Sequence, residues 1–397
     1  MRVGLNLQRG QRLLIAEPYE LQGVARSAEE IVKAVRTAAS EAGGPHPAGL
    51  DIIWGEGPRL REFAAQADWR GFAQLVAANA TMMQAAIEQG AALLFLPGSQ
   101  PLLLEGIAPE RITALRRLAW EYFAPIAQQL IGGATHWTAA PAPSSEWANH
   151  VYPDLPAETR LTALWEAVFE AMRISGAKDR PSPDRCRLVD EPASYQAWEI
   201  HLRSLQNYRN ALNAQQLRTL RYQGVGTDLT VTLPPEHRWC TAQLTSRSGR
   251  SFVANLPTEE IFTLPHRNSA EGIVRVSRPI NYGGAVIDGI DLEFRRGRVV
   301  KARAKTNAAL LEQLLATDEG STRLGEVALV PHETSLARSG RNFHHTLLDE
   351  NASSHIALGD AYAFCLRSPN SHAQNRSLIH VDLPLDARVT LTKTEPA

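Results

Sequence analysis

The stretch AALLFLPG, residues 91–98, is a short apolar run that ends in Pro and Gly. Two similar runs precede it, QRLLIAE at 11–17 and LDIIWGEG at 50–57. Between the three runs lie Ala-rich segments, 27–42 and 69–89, with apolar residues at helical spacing. Strands that alternate with helices form parallel sheets through right-handed crossovers. We therefore predict an α/β N-terminal domain with a parallel sheet.

The second half of the chain has a different pattern. Residues 195–221 contain no Gly or Pro and carry Leu at helical spacing, which predicts one long helix. Short β-like runs separated by turn residues follow: LTVTL (229–233), IVRVSRPI (273–280), AVIDGIDLEF (285–294) and RVVKARA (298–304). We predict an α/β domain at 1–194 and a C-terminal α+β domain, mostly β, at 195–397. The Pro-rich, charged segment 176–192 is interpreted as a connector or an exposed insertion.

Composition excludes several classes of partner. The 397 residues include 41 Lys and Arg against 42 Asp and Glu, so no bulk field attracts nucleic acid or an anionic membrane. No nucleotide-binding glycine motif occurs, and no apolar run is long enough for a membrane span or a signal peptide. We expect a cytoplasmic protein. The three cysteines, Cys186, Cys240 and Cys365, are far apart, which predicts neither a disulfide framework nor a thiolate zinc site.

Half of the twelve histidines fall within residues 332–380. One of them, His380, lies two residues before Asp382 in the apolar run SLIHVDLPL (377–385). Side chains two apart on a strand face the same side, so this imidazole and carboxylate could bind one divalent metal, although an ordinary polar face has the same pattern. Pro384 would remove a sheet hydrogen bond unless this strand lies at an edge or ends there.

Further candidate ligands lie in three other segments. LLDENASSHIALGDAY (347–362) carries Glu350, His355 and Tyr362, either around a ligand or in an exposed polar loop. Glu326 in RLGEVALV (323–330) and Glu260 in NLPTEEIFTLP (255–265) interrupt apolar surroundings. An inward-facing unpaired carboxylate is expensive, so each glutamate implies a metal or a salt bridge.

Some nearby residues are weaker candidates. Glu259 is a candidate for binding a substrate amino group, but neighbouring residues on a strand face opposite ways, which favours solvent exposure. His332 and Glu333 begin like His-Glu-x-x-His, yet position 336 is Leu, so that zinc motif fails. The remaining histidines of the cluster match no motif, and we expect surface or loop positions for His344, His345 and His372.

The four segments NLPTEEIFTLP, RLGEVALV, LLDENASSHIALGDAY and IHVD, in this order and spacing, resemble the metal-binding segments of the M29 metalloaminopeptidases, the aminopeptidase T and aminopeptidase S group. The resemblance covers about residues 195–385, and the first half of the chain is similar mainly in its general residue pattern. It implies that two divalent ions, of zinc, cobalt, manganese or magnesium, are held by six residues: Glu260, Glu326, Glu350, His355, His380 and Asp382.

The resemblance also implies a mechanism. Glu326 would bridge two ions roughly 3.5 to 4 Å apart, and the ions would activate a water that hydrolyses the N-terminal peptide bond of peptides with a free N-terminus. Tyr362 could donate a hydrogen bond to the developing oxyanion. Glu350 is either a ligand, which we favour, or the general base. The family resemblance further suggests a homodimer.

Two other functions remain open from the sequence. His355, His380 and Asp382 alone would form the two-His-one-carboxylate triad of a mononuclear Fe(II) ring-cleaving dioxygenase. The presence of Glu260 and Glu326, which a second ion needs, separates the peptidase from that enzyme. A non-catalytic binding protein with a degenerate site is the third possibility, and the retention of every motif residue argues against it.

Overall fold

The computed structural model describes residues 1–17, 24–41, 49–55, 57–97, 100–174, 191–368 and 372–393. The chain forms two compact units, residues 1–200 with 242–258, and residues 201–241 with 259–397. The predicted connector at 176–192 lies almost wholly outside the described residues, as does Cys186. None of the described helices is both long and apolar enough to cross a membrane.

The described helices and strands have the following bounds. The elements up to residue 215 are β1 (Leu13–Ala16), β2 (Val24–Ala25), α1 (Glu29–Glu41), β3 (Leu50–Ile52), β4 (Trp54–Gly55), α2 (Gly57–Gln66), α3 (Trp69–Glu88), β5 (Ala92–Phe95), α4 (Pro109–Ile131), β6 (Trp137–Ala139), α5 (Ser145–Val151), α6 (Ala157–Ala171) and α7 (Glu191–Gln215). The later elements are β7 (Thr219–Gly224), β8 (Thr227–Thr232), β9 (Gln243–Thr245), β10 (Ser251–Val253), β11 (Ile261–Thr263), β12 (Glu271–Arg275), β13 (Ile280–Tyr282), β14 (Ala285–Ile287), β15 (Asp291–Arg295), β16 (Arg298–Arg303), α8 (Ala308–Leu315), β17 (Leu324–Leu329), α9 (Ser335–Ser339), α10 (Thr346–Asp349), β18 (His355–Gly359), β19 (His380–Pro384) and β20 (Ala387–Thr392).

The first unit contains the predicted parallel sheet, in the strand order β3-β1-β5-β6. Leu13 of β1 pairs in parallel with Leu50 on one side and with Ala92 on the other. Strands β1 and β5 are buried along their whole length, as parallel strands covered on both faces must be. Their apolar composition follows from this double burial, and the predicted α/β class is confirmed.

The hairpin of β9 and β10 belongs to the first unit although it comes late in the chain. Val253 N donates to Gly4 O at 2.8 Å, and Ala139 N donates to Ala254 O at 2.7 Å. These backbone hydrogen bonds hold residues 242–258 with the first unit, whereas the boundary drawn at 194/195 assigns them to the C-terminal domain. Whether the chain folds as two independent domains stays a prediction.

The predicted helix over 195–221 overruns the real one. Helix α7 ends at Gln215, the next residue Gln216 has φ of 52°, and residues from Thr219 onwards form strand β7. Strand β7 forms a tight hairpin with β8 and pairs with the distant β20, and these pairings override the local helical pattern. The predicted strand at 285–294 is likewise divided into β14 and β15, with Gly289 at φ of 65° between them.

The second unit is mostly β, as predicted. It contains a six-stranded antiparallel sheet in the order β16-β15-β12-β8-β7-β20 and a four-stranded antiparallel sheet in the order β11-β17-β18-β19. Strand β19 lies at the edge of the four-stranded sheet and ends at Pro384, so the proline breaks no interior ladder. The β11-β17-β18-β19 sheet carries most of the candidate site residues.

Candidate metal centre

Strand register places four candidate ligands on one face of the β11-β17-β18-β19 sheet. Glu326 pairs with Ala357, and Ala357 pairs with Asp382, so these three residues share a face. His355 lies two residues before Ala357, and His380 lies two residues before Asp382, which puts both imidazoles on that same face. The expectation that His380 and Asp382 point together is therefore fulfilled by the strand period.

The other two candidate ligands come from segments next to the sheet. Glu260 immediately precedes β11, whose register with β17 continues by one residue to put Glu260 opposite Val330, on the face of Glu326. Glu350 lies in a 3₁₀ turn, Glu350–Ala352, just before β18. Both carboxylates are buried.

Small residues make room for these side chains. Ala357 stands directly between Glu326 and Asp382 in the register, and Ala328 lies two residues beyond Glu326 on the same face. Gly325 sits in the β-bulge just before Glu326, where an added Cβ would come 2.3 Å from Asp360 O. Any larger side chain at position 325 would push the two strands apart next to the glutamate.

The imidazoles and carboxylates form two groups that share Glu326. In the first group, His355 Nε2 lies 3.3 Å from Glu260 Oε2 and 3.5 Å from Glu326 Oε1. In the second, His380 Nε2 lies 3.4 Å from Asp382 Oδ1 and 3.9 Å from Glu326 Oε2. Within each group the possible ligand atoms all lie within 4.8 Å of one another. The two oxygens of Glu326 thus face different histidines.

The donor set fits divalent metal ions. His355 Nε2 is buried and makes no hydrogen bond of good geometry to a described residue, while its Nδ1 lies 3.3 Å from Ser353 O. His380 is held similarly, with Nδ1 2.9 Å from Asp360 O. A backbone carbonyl at one ring nitrogen leaves the other nitrogen to a metal, which is the usual arrangement of metal-ligating histidines.

The pKa shifts show how strongly the buried carboxylates repel one another. Burial raises the pKa of Glu326, and the nearby charge of Glu260 raises it further. Burial and the charges of Asp382 and Glu260 raise the pKa of Glu350 well above its usual value. Burial would also raise the pKa of Asp382, but the charge of His380, its interaction with the carboxylate and the charge of His355 together outweigh burial, and the pKa falls to about 2. When several carboxylates lie close together, their mutual repulsion raises the pKa of some and leaves others ionised. Bound cations would relieve this repulsion.

Glu350 and Tyr362 lie beside the two groups rather than within them. The Glu350 carboxyl lies near Asp382, whose charge raises its pKa, and its Oε1 accepts from Asn351 Nδ2 at 3.3 Å. The Tyr362 ring packs 5.1 Å from the ring of His380 and stacks 5.2 Å from that of Phe364, measured between centroids. Both residues therefore adjoin the group that contains His380 and Asp382.

One sequence-based expectation was wrong. Glu259 is only 5% exposed, and its Oε2 lies 3.7 Å from His201 Nε2. It precedes the first residue of β11, so the alternation of a strand does not apply to it. His345 lies in a loop as expected but is buried there, whereas His332 and His372 are exposed.

Sequence reasoning missed Asn351. This fully buried side chain accepts a hydrogen bond from Glu259 N at 2.6 Å through Oδ1, and its Nδ2 donates to Leu347 O at 2.9 Å and to Glu350 Oε1. Asn351 thereby joins the segment that carries Glu260 to the turn that carries Glu350. Its only signal in the sequence is its position next to Glu350, since an Asn in a polar turn is ordinary.

Comparisons with known proteins bear on the family and the fold of this chain. A family model described as thermophilic metalloprotease (M29) matches residues 1–394. Aminopeptidase T of Thermus thermophilus is 38% identical over 388 residues, which cover 96% of this chain and 89% of that protein. Aminopeptidase AmpS of Bacillus subtilis is 32% identical over 396 residues, which cover 98% of this chain and 90% of that protein.

The structural comparison extends the resemblance through the first half of the chain. The solved structure of wild-type AmpT from Thermus thermophilus matches with a TM-score of 0.83 and 36% sequence identity, covering 99% of this chain and 92% of that one. The similarity therefore includes the fold of the first half and not only its general residue pattern. This chain belongs to the M29 family of thermophilic metalloproteases.

Proposed function

We propose that this protein is a metal-dependent aminopeptidase that hydrolyses the N-terminal peptide bond of peptides, with two divalent ions on the β11-β17-β18-β19 sheet. The observation that carries the proposal is the pair of ligand groups that share Glu326, whose two carboxylate oxygens face different histidines. Membership of a metalloprotease family and relatives named aminopeptidases support the reaction type.

The two groups assign ligands to the two ions. Glu260 and His355 would hold one ion, His380 and Asp382 the other, and Glu326 would bridge them. Glu350, next to Asp382, would complete the set as a sixth ligand. Carboxylate and imidazole donors suit zinc, cobalt, manganese or magnesium, so the donor set leaves the choice among these metals to measurement.

When bound, such ions supply a hydroxide at neutral pH and polarise the scissile carbonyl. The side chains of the protein orient the reacting groups and transfer protons. Among the six candidate ligands, Glu350 is the one that belongs to neither group. Its carboxyl can therefore either coordinate an ion or accept the proton of the attacking water. We favour coordination. Tyr362, whose ring lies 5.1 Å from that of His380, would donate a hydrogen bond to a developing oxyanion.

The substrate and the assembly are also part of the proposal. Peptides with a free N-terminus follow from the names of the relatives, since an aminopeptidase requires that terminus. A homodimer and a cytoplasmic location follow from the family resemblance and from composition respectively. Light scattering coupled to size-exclusion chromatography would test the homodimer, and a single-chain mass would contradict it.

The geometry favours this function over a mononuclear Fe(II) dioxygenase. That enzyme would need only His355, His380 and Asp382 around one iron. Here Glu326 stands between the two histidines, so a one-iron centre would leave this buried carboxylate, and Glu260 with it, without a cation. Burying uncompensated carboxylates costs several kcal/mol, which also argues against a non-catalytic protein with an empty centre.

Bound metal and turnover, measured together, test the proposal. We expect about two ions per chain and hydrolysis of amino-acid p-nitroanilides after reconstitution with zinc, cobalt, manganese or magnesium. Glu326→Ala should lose both ions and essentially all activity, whereas Glu333→Ala, which removes an exposed carboxylate from the same unit, should behave as wild type. Hydrolysis that survives Glu326→Ala would contradict the two-metal centre, and one iron per chain with oxygen uptake would favour the dioxygenase.

A further inference from the structure

Two of the three cysteines meet at the edge of the proposed active site. Cys240 and Cys365 are both free, and Cys240 Sγ lies 3.9 Å from the backbone O of Phe364, the residue before Cys365. Cys365 belongs to a buried apolar cluster with Phe262 and Leu366, and Cys240 packs against that cluster together with Tyr362. Residues far apart in the sequence thus form a neighbouring thiol pair.

The backbone holds both cysteines in place. Cys240 exchanges two backbone hydrogen bonds with Phe262, of 2.8 Å and 3.1 Å, and Arg238 N donates to Cys365 O at 2.9 Å. A disulfide forms without large backbone movement only when the two Cβ atoms point towards each other. Cys240 packs against the apolar cluster that contains Cys365, and its Sγ lies beside the Phe364 carbonyl, so the two side chains are neighbours.

The two thiols differ in accessibility and acidity. Cys240 is partly exposed, whereas Cys365 is 1% exposed. The neighbouring Cys365 thiol and the charges of Arg238 and Arg209 lower the pKa of Cys240. Burial raises the pKa of Cys365 well above its usual value. An accessible thiolate beside a buried thiol is the usual division between an attacking and a resolving cysteine.

We propose that Cys240 and Cys365 form a reversible oxidation site, at which a low-molecular-weight disulfide such as glutathione disulfide is reduced while an intrachain disulfide forms. The Cys240 thiolate attacks one sulfur of glutathione disulfide and releases one glutathione thiolate, which takes up a proton. The Cys365 thiol then loses its proton to solvent and attacks the Cys240 sulfur of the mixed disulfide, releasing the second glutathione. Two electrons leave the protein and one glutathione disulfide becomes two glutathione molecules.

The position of this pair connects it to Tyr362. Cys365 closes the 3₁₀ turn Ala363–Cys365 that begins after Tyr362, and Cys365 N donates to Tyr362 O at 3.0 Å. On the other side, Cys240 pairs with Phe262, which lies two residues after Glu260 and packs against the Tyr362 ring at 5.9 Å. A disulfide therefore draws the Tyr362 turn towards the strand that follows Glu260. This effect on activity rests on the proposed function; the disulfide itself does not.

The test uses the full-length chain with Cys186→Ser, so that only these two thiols remain. The protein is equilibrated with glutathione and glutathione disulfide, quenched with acid, alkylated and mapped by mass spectrometry. We expect a cross-linked peptide pair containing Cys240 and Cys365, an intact mass lower by two hydrogens, and reversal by dithiothreitol. Activity on a p-nitroanilide should fall roughly tenfold on oxidation and recover on reduction, because a displaced transition-state donor weakens catalysis.

Single variants separate the two steps. Cys365→Ser, or Cys365→Ala if the serine variant folds poorly, should stop at a mixed disulfide between glutathione and Cys240. Cys240→Ser should stay reduced, because the buried Cys365 does not react alone. Glutathione on both cysteines without a cross-link, or two alkylated cysteines at every redox ratio, would overturn the site. Full activity of the cross-linked protein would overturn its link to Tyr362. The mass readout remains valid even if the chain hydrolyses no peptide.

Discussion

The inner strands of the two four-stranded sheets in the described part of the chain are all buried but hold different residues. Strands β1 and β5 of the parallel sheet, LLIA and ALLF, contain only apolar side chains. Strands β17 and β18 of the antiparallel sheet, LGEVAL and HIALG, are equally buried yet include Glu326 and His355. Burying apolar side chains stabilises a fold, whereas burying ionisable ones opposes it. Burial in the first sheet therefore serves stability, and burial in the second serves a site.

The charged residues of the antiparallel sheet are also ordered, not scattered. One face of β17 and β18 carries Val327 and Ile356, which are fully buried core residues. The opposite face collects the imidazoles and carboxylates of the proposed centre. Four predictions test this contrast between the two sheets.

The largest expected effect is the loss of a ligand. His355→Ala should lower kcat/KM on leucine p-nitroanilide by at least about a thousandfold, which corresponds to about 4 kcal/mol of transition-state stabilisation. The reason is that one ion would lose its only imidazole. His332→Ala, at an exposed histidine of the same unit, is the control and should stay within about twofold of wild type. Activity within tenfold of wild type for His355→Ala would remove His355 from the ligand set.

The second largest effect is expected when a buried alanine is enlarged, because the loss of activity should differ between the two sheets. Ala357→Leu fills the space between Glu326 and Asp382, so we expect roughly a hundredfold loss of kcat/KM through misplaced ligands. Ala92→Leu in the parallel sheet overpacks an equally buried alanine and should lower the free energy of unfolding by about 1 to 3 kcal/mol without a comparable loss of kcat in the folded fraction. Kinetics and urea unfolding of both variants provide the comparison. Equal kinetic losses would contradict it.

Asn351 supports the ligands without being one of them. Asn351→Ala removes the hydrogen bonds to Glu259 N and Glu350, and metal affinity should weaken by about tenfold to a hundredfold, as for other residues that orient ligands. Asn351→Asp keeps an acceptor for Glu259 N and should retain more affinity than the alanine variant at the first ion. Competition with a chelating dye measures both dissociation constants. Unchanged affinity in Asn351→Ala would assign Asn351 to stability alone.

The smallest effect concerns stability and has opposite signs in the two sheets. In metal-free protein, Glu326→Gln removes a buried charge and should raise the free energy of unfolding by about 1 kcal/mol. Leu94→Gln in β5 buries a polar group and should lower it by about 2 kcal/mol. Added metal should stabilise wild type but not Glu326→Gln, because only the protein with an intact site gains binding energy. Urea unfolding with and without chelator measures all of these values, and destabilisation by Glu326→Gln without metal would contradict the contrast.

Much of the fold was predictable because it depends on local patterns. The apolar runs at 11–17, 50–57 and 91–98 each contain a strand, since a short uninterrupted apolar run suits a strand buried on both faces. The end of α7 was not predictable, because β7 exists only through pairing with β8 and β20. Nothing in residues 219–221 distinguishes such a strand from a continued helix.

The candidate site likewise has features that local sequence patterns predicted and features that they did not. The shared face of His380 and Asp382 follows from the two-residue period of one strand, and the buried glutamates stand out against apolar neighbours. The burial of Glu259, the role of Asn351 and the meeting of Cys240 with Cys365 had no comparable signal. Each of these depends on segments that are distant in the sequence.

By itself, the sequence determined which segments form strands, which residues on one strand share a face, and which motifs resemble a family. These properties depend on period and composition within a few residues. The tertiary structure alone decided that Glu326, Ala357 and Asp382 lie in one row and that Glu326 faces both histidines. The physical reason is that register between strands is set by the hydrogen bonding and packing of the whole sheet, which no local pattern contains.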